Sequence, residues 1–177
     1  MKPIGPLMRE HRLIERMLAV LAKQSDPNLI LEAVDFFSTY ADRTHHGKEE
    51  EILFRVLAQK QLSAKDSQTM RELIDEHATA RKMVTALLAA HRRYMTGNQS
   101  SSGEVLALVK KLVDFYPAHI AKEDRDFFFP CLEYLTEGEQ AAMLQEFWEF
   151  DRMMIHEKYQ KVVEKAESLI LKHVTDS

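Results

Sequence analysis

The chain reads as all-α: an antiparallel up-and-down four-helix bundle with an additional C-terminal helical region. Three observations predict this. Glycine and proline number only five each in 177 residues, so breakers punctuate the chain rather than pervade it. The strong helix formers Leu, Met, Ala, Glu and Lys are abundant. Apolar residues recur at helical spacing, and no stretch alternates as a strand would.

The elements follow in order. A first helix is expected from about Pro6 to Gln24, with Pro6 suited to an early helical position. Leu7, His11, Ile14, Leu18 and Leu21 share its inner stripe. "SDPN" at 25–28 breaks the pattern, and a second helix spans roughly 28–60, with Val34, Phe37, Ala41, His45, Ile52 and Val56 in helical period. "QLSAKD" interrupts it, and Ser63 is placed to cap a third helix over about 64–95 that carries Met70, His77, Val84 and Leu88. "TGNQSSSG" at 96–103 is a loop. A fourth helix begins near Ser102 and aligns Val105, Leu108, Leu112, Tyr116, His119 and Glu123. Pro117 inside it predicts a kink or a restart, and Pro130 an end or a bend. After "LTEGE" a fifth helical region runs from about 139 to 173, interrupted near "EFWEF", with His156, Tyr159, Val163, Ala166 and Ile170 on one stripe. Short connections close such helices into a bundle. We expect a single domain over 1–177, its core at about 7–135 and its extension at about 139–173.

Composition narrows the function. Apolar residues make up 45% and charged residues 29%, a globular balance. The formal charge of −4 argues against a dedicated nucleic-acid binder. No apolar run reaches the length of about 20 residues that spans a bilayer, and "MKPIGPLMREH" lacks the apolar centre of a signal peptide. A single cysteine, Cys131, fits a reducing compartment and a buried packing role. The cytoplasm is the expected location.

The chemistry lies in a repeated pattern. "HHGKE" at 45–49 and "HIAKE" at 119–123 both read His-x-x-Lys-Glu. Residues four apart share a helix edge, so His45 with Glu49 and His119 with Glu123 each form a two-ligand edge. His46 with Glu50 is the alternative register for the first motif. The reading with His45 and Glu49 keeps a constant offset to the second motif and follows Phe37 and Ala41 on the stripe. His11 and His77 take matching positions on two other helices. Four facing helices then converge imidazoles and two carboxylates on one point. Burying two acids uncompensated is costly, and cations remove that cost. Nitrogen and oxygen ligands suit iron, manganese or zinc. Two carboxylates among several histidines suit two ions, and iron adds redox chemistry and a place for O2.

Other residues have less specific readings. His156 lies on an apolar face and is a candidate to close one side of the cluster. Tyr40 and Tyr116 precede the two motifs at similar offsets, as supports for the ligands or as packing. Lys48, Lys122, Glu50 and Asp124 read as surface residues, and His91 and His173 as water-facing. The run Phe127–Phe129 walls off the site or fills the end of the core.

The order His11, His45–Glu49, His77, His119–Glu123 resembles the hemerythrin-like, or HHE cation-binding, family over about residues 7–135. The resemblance implies a four-helix bundle around two non-haem iron ions, with Glu49 and Glu123 as bridges and His11, His45, His77 and His119 as terminal ligands. Oxygen carriers of that family use two histidines four apart on the third helix, whereas Arg81 stands four after His77. Their last motif also spaces histidine and aspartate by five, a spacing that Asp124 offers here. The segment around His156 is similar to a C-terminal extension in bacterial HHE proteins, which makes His156 a candidate for the missing ligand. Arg81 faces solvent, or points inward to meet a bound anion or a bridging glutamate.

Three functions follow from the resemblance. The first is a di-iron protein binding O2 or a related small oxidant or gas, such as peroxide or nitric oxide. The second is a di-iron enzyme consuming peroxide or oxidising a small substrate, and the third an iron- or oxygen-responsive regulator. The expected partners are such small ligands, with no nucleic acid and no membrane, on a monomer or homodimer.

Overall fold

The computed structural model describes residues 1–23, 26–98, 101–152 and 155–175. Among these there are six helices and no strand. Helix α1 is Ile4–Leu21, α2 covers 27–57, α3 is Ala64–Met95, α4 covers 101–131, α5 is Glu137–Asp151 and α6 is Ile155–Thr175. Gln24 and Ser25 lie outside the described residues, as do the side chains of Ala166, Ile170 and His173.

Helix α1 packs on α2 and α4, and α3 packs on the same two. Four helices joined this way close a ring around one axis. Helix α6 lies against α1 and the first half of α2, and α5 against the second half of α2. The expected fifth helical region is thus two helices, divided after the aromatic stretch as the sequence indicates.

Local signals set several ends. Ser63 caps α3: its hydroxyl accepts the Asp66 N–H at 3.0 Å and donates to the Asp66 carboxylate at 2.6 Å. Thr136 opens α5 with a capping box, in which its side chain and that of Glu139 each satisfy the other's backbone N–H. Pro117 does not restart α4, whose α-helical part runs Ser101–Ala121 through it. Pro130 sits within the last turn, Phe128–Cys131, before a 3-10 turn at Leu132–Tyr134.

Two helices depart from α geometry where the site lies. In α2, Phe36–His46 and Glu49–Phe54 are π-helical; in α4, Lys122–Phe127 is. Such segments are rare and cluster at functional sites.

The core consists of two apolar clusters. One joins the later half of α1 with Leu29–Ala41, Ala80–Ala90, Val105–Ile120, Tyr159 and Val163. The other joins Ile4 and Leu7 with Ile52–Leu57, Leu73, Phe127, Phe128, Met143 and Phe147. Between them every helix of the ring contributes a buried polar side chain: His11, His45, His46, Glu49, His77, His119 and Glu123.

Candidate metal centre

Polar atoms in that layer form two groups. His11, His45, Glu49 and Glu123 place one potential ligand atom each within 4.8 Å of one another, and so do His46, His77 and His119. The carboxylates lie between the groups. Glu49 turns Oε1 to His45 Nε2 at 3.5 Å and Oε2 to His77 Nε2 at 3.4 Å. Glu123 turns Oε2 to His11 Nε2 at 3.1 Å and His119 Nε2 at 3.4 Å, and Oε1 to His77 Nε2 at 3.4 Å.

The π-helical turn explains why both His45 and His46 belong. Both are only 1% exposed. A π segment rotates less per residue than an α-helix, so adjacent side chains can share the inner face. The His46 ring stacks on His77 with centroids 3.9 Å apart. The two registers that the sequence poses as alternatives are therefore both inward at the histidine, while Glu50 turns to the neighbouring helix.

The Nδ1 atoms of His45, His77, His119 and His11 are each held by an acid from another helix. Glu10 of α1 meets His45 at 2.8 Å, Glu50 of α2 meets His77 at 2.7 Å, Glu76 of α3 meets His119 at 2.8 Å, and Asp124 of α4 meets His11 at 2.7 Å. The order α1→α2→α3→α4→α1 closes on itself. Every one of these acids adjoins a member of the buried layer in sequence: Glu10–His11, Glu49–Glu50, Glu76–His77 and Glu123–Asp124. When one residue points to the axis, its chain neighbour points to the next helix. A carboxylate on Nδ1 fixes the tautomer and aims Nε2 inward.

The expectation of surface roles for Glu50, Asp124 and Lys48 is thus corrected. Lys48 is fully buried and pairs with Glu10 and, at 2.8 Å, with Asp151. Lys122 is partly buried between Glu72 and Glu76. His91 is buried too, because it sits on the inner face near the end of α3. Arg81 is 38% exposed at its side chain; its Nε donates to Asp42 and an NH2 to Glu50, each at 2.7 Å. Asp42 also lies 3.4 Å from His46 Nδ1. Arg81 therefore ties together the acids behind His46 and His77.

His156 is placed apart from both groups, with Glu10 and Asp151. Its Nε2 lies 2.8 Å from Asp151 Oδ2 and its Nδ1 3.0 Å from the Tyr40 hydroxyl. Lys48 contacts both acids there and balances part of their charge. Tyr116 packs against His46, His119 and Phe37.

Charge in the layer is unevenly shared. Burial pushes the Glu49 carboxyl well up, and the Glu123 charge adds to it. Burial would raise Glu123 as well, but His119, His11 and His77 hold it well below the ordinary value. Burial would depress His11, yet Asp124 and Glu123 raise it to about 9. Burial and the His11 charge lower His45 to about 4, and burial with His77 lowers His46, so both keep imidazole lone pairs.

The donor set fits two cations on a direct test. His11 Nε2, His45 Nε2, His119 Nε2, both Glu49 oxygens and Glu123 Oε2 are buried without a hydrogen-bond partner. Buried polar atoms are rarely left so, and all six face the same space. Nitrogen and carboxylate donors suit iron, manganese or zinc. Phe54, Phe115 and Phe128 lie parallel to His77, His119 and His11 at 6.0, 5.7 and 5.7 Å and keep water away.

The sequence reading offers His46 only as an alternative to His45, and it gives the four supporting acids no such role. The adjacency of acid and ligand is their signal in the sequence. No helix among the described residues is long and apolar enough to cross a membrane. The profile of the hemerythrin HHE cation binding domain matches residues 2–131, which takes in α1 to α4 and stops before Asp151 and His156. No curated protein and no solved structure matches the chain. With nearly three quarters of its length matched, paired His/Glu edges on α2 and α4 and single ligand-group histidines on α1 and α3, the chain belongs to the hemerythrin HHE cation-binding family.

Proposed function

We propose that the chain is a non-haem di-iron protein that binds O2 or a related small oxidant or gas, such as peroxide or nitric oxide, between its four long helices. The observation that carries this reading is the position of Glu49 and Glu123, each with oxygens turned to both histidine groups. In this reading both carboxylates bridge the ions. His11 and His45 hold one ion and His46, His77 and His119 the other. His46 then supplies the fifth imidazole in place of a second histidine on α3, and His156 is not required.

When bound, two irons would supply exchangeable valence and a place for a small ligand. The chain does the rest. Its Nδ1 carboxylates hold the imidazoles in one tautomer before a metal arrives. Its phenylalanines exclude water and bulky substrates. A cavity of about 150 Å³ lined by Phe37, Ala80, Val84, Arg81 and Tyr116 adjoins the Asp42 side of His46, and its size admits small guests only.

The test is purification with ferrous iron, metal analysis per chain, and optical spectra reduced, in air and after peroxide. About two irons per chain and a charge-transfer band that appears with O2, nitric oxide or peroxide support the reading. A folded chain that takes up no iron, or iron with no spectral response to any of the three, contradicts it.

A further inference from the structure

Tyr40 is buried in the first π segment of α2 and forms no part of either ligand group. Its hydroxyl meets His156 Nδ1 at 3.0 Å, while His156 Nε2 meets Asp151 Oδ2 at 2.8 Å. A carboxylate only accepts, so Nε2 carries the ring proton. In the neutral imidazole Nδ1 is then the acceptor, and the Tyr40 O–H donates to it. The phenol has a proton acceptor already in contact, and that acceptor reaches a cleft.

The cleft has a volume of about 920 Å³ between α1 and the last two helices, with Tyr40, His156 and Asp151 at its floor and Arg9, Leu13 and Trp148 on its walls. Trp148 is 71% exposed. On the other side, polar contacts run from His156 Nε2 to Glu10 Oε1 at 3.6 Å, and from Glu10 Oε2 to His45 Nδ1 at 2.8 Å. Tyr40 thus lines an open cleft and is linked to the candidate metal centre through His156, Glu10 and His45. Burial and the charges of Glu10 and Asp151 hold its phenol far above its ordinary pKa. Loss of its proton without an electron is therefore disfavoured.

We propose that Tyr40 is an internal one-electron donor to the iron pair and that His156 takes its proton, so that peroxide reduction at the centre is coupled to oxidation of a small phenolic or enediol reductant in the cleft. This rests on the di-iron reading above. The balance is as follows. Hydrogen peroxide needs two electrons and two protons to give two waters, and the protons come from solvent. An iron pair holding one transferable electron supplies the first. Tyr40 supplies the second: its O–H bond breaks, the electron goes to the centre, and the proton goes to His156 Nδ1. A neutral phenoxyl radical remains beside an imidazolium held by Asp151. One reductant molecule then returns an electron to the radical and His156 returns the proton, which restores the phenol. A second returns, by the same route through Tyr40, the electron that the iron pair gave, and each reductant releases its own proton to solvent.

Iron-loaded chain mixed with peroxide and frozen within milliseconds should show an organic radical by electron paramagnetic resonance. Ring-deuterated tyrosine should narrow its hyperfine pattern. Tyr40→Phe should abolish the signal with iron content unchanged, whereas Tyr159→Phe, which alters a nearby ring 6.0 Å away, should retain it. His156→Gln should reduce its yield at least about tenfold, since proton and electron leave together. A signal that survives in Tyr40→Phe, or its absence from an iron-loaded chain that consumes peroxide, overturns this inference and leaves the di-iron reading standing. A folded chain that binds no iron overturns both.

Discussion

His45 and His46 are neighbours in the chain, yet both imidazoles are buried in the bundle and belong to different ligand groups. The π-helical turn there rotates less per residue than an α-helix and so brings both rings closer to the same inner face. The prediction is that His46→Leu folds normally by circular dichroism but binds about one iron instead of about two. Unchanged iron content would remove His46 from the ligand set.

Arg81 stands where oxygen carriers of the family have a histidine, and it holds the acids behind His46 and His77. Both its pairs are part-exposed, so their effect on stability should be below about 1 kcal/mol. Their effect on the site should be larger. Arg81→Met should lower iron affinity about 10–100-fold in chelator competition, with little change in the denaturation midpoint.

Lys48 is buried beneath α5 with Glu10 and Asp151 as counter-charges. Lys48→Met leaves those acids without their cation. A cost of about 3–5 kcal/mol in urea denaturation is expected. Gly47, next to it, has a different constraint: a Cβ there would come within 2.9 Å of the Phe150 ring, so Gly47→Ala should displace that ring.

The capping box ties α5 to pH. Lys60, then the backbone and hydroxyl of Thr136, pull Glu139 down from 4.5 to about 2. A lowered folded-state pKa means that its stabilisation is complete above about 4.5 and is lost as pH falls towards about 2. Glu139→Gln should flatten that acid limb. Thr136→Ala should cost about 1 kcal/mol at neutral pH.

Metal uptake should release protons. Glu49 is pushed up by burial and by Glu123, and His11 is raised to about 9; both must be deprotonated to bind. Roughly two protons per chain should appear in an indicator assay at pH 7 as ferrous iron is added. Because protons compete with metal, affinity should rise with pH up to about 9 and weaken in acid.

The bundle and the paired His/Glu edges were legible in the sequence because they follow helical period. The third helix, expected over about 64–95, is Ala64–Met95, since Ser63 and the long apolar stripe mark it. His46 was legible only as an alternative to His45 and not as inward together with it, because a periodic reading assumes 3.6 residues per turn and π segments do not obey it. Lys48 was hidden for another reason: its partner Asp151 is about a hundred residues away, on a helix beyond the bundle. The supporting acids looked like surface charge, since their role depends on which helix lies beside them.

The most direct test is anomalous diffraction at the iron edge from crystals of the iron-loaded chain. The account predicts two peaks between Glu49 and Glu123, one beside His11 and His45 and the other beside His46, His77 and His119. Iron found elsewhere, for instance among Glu10, Asp151 and His156, with nothing between those two glutamates, would contradict it.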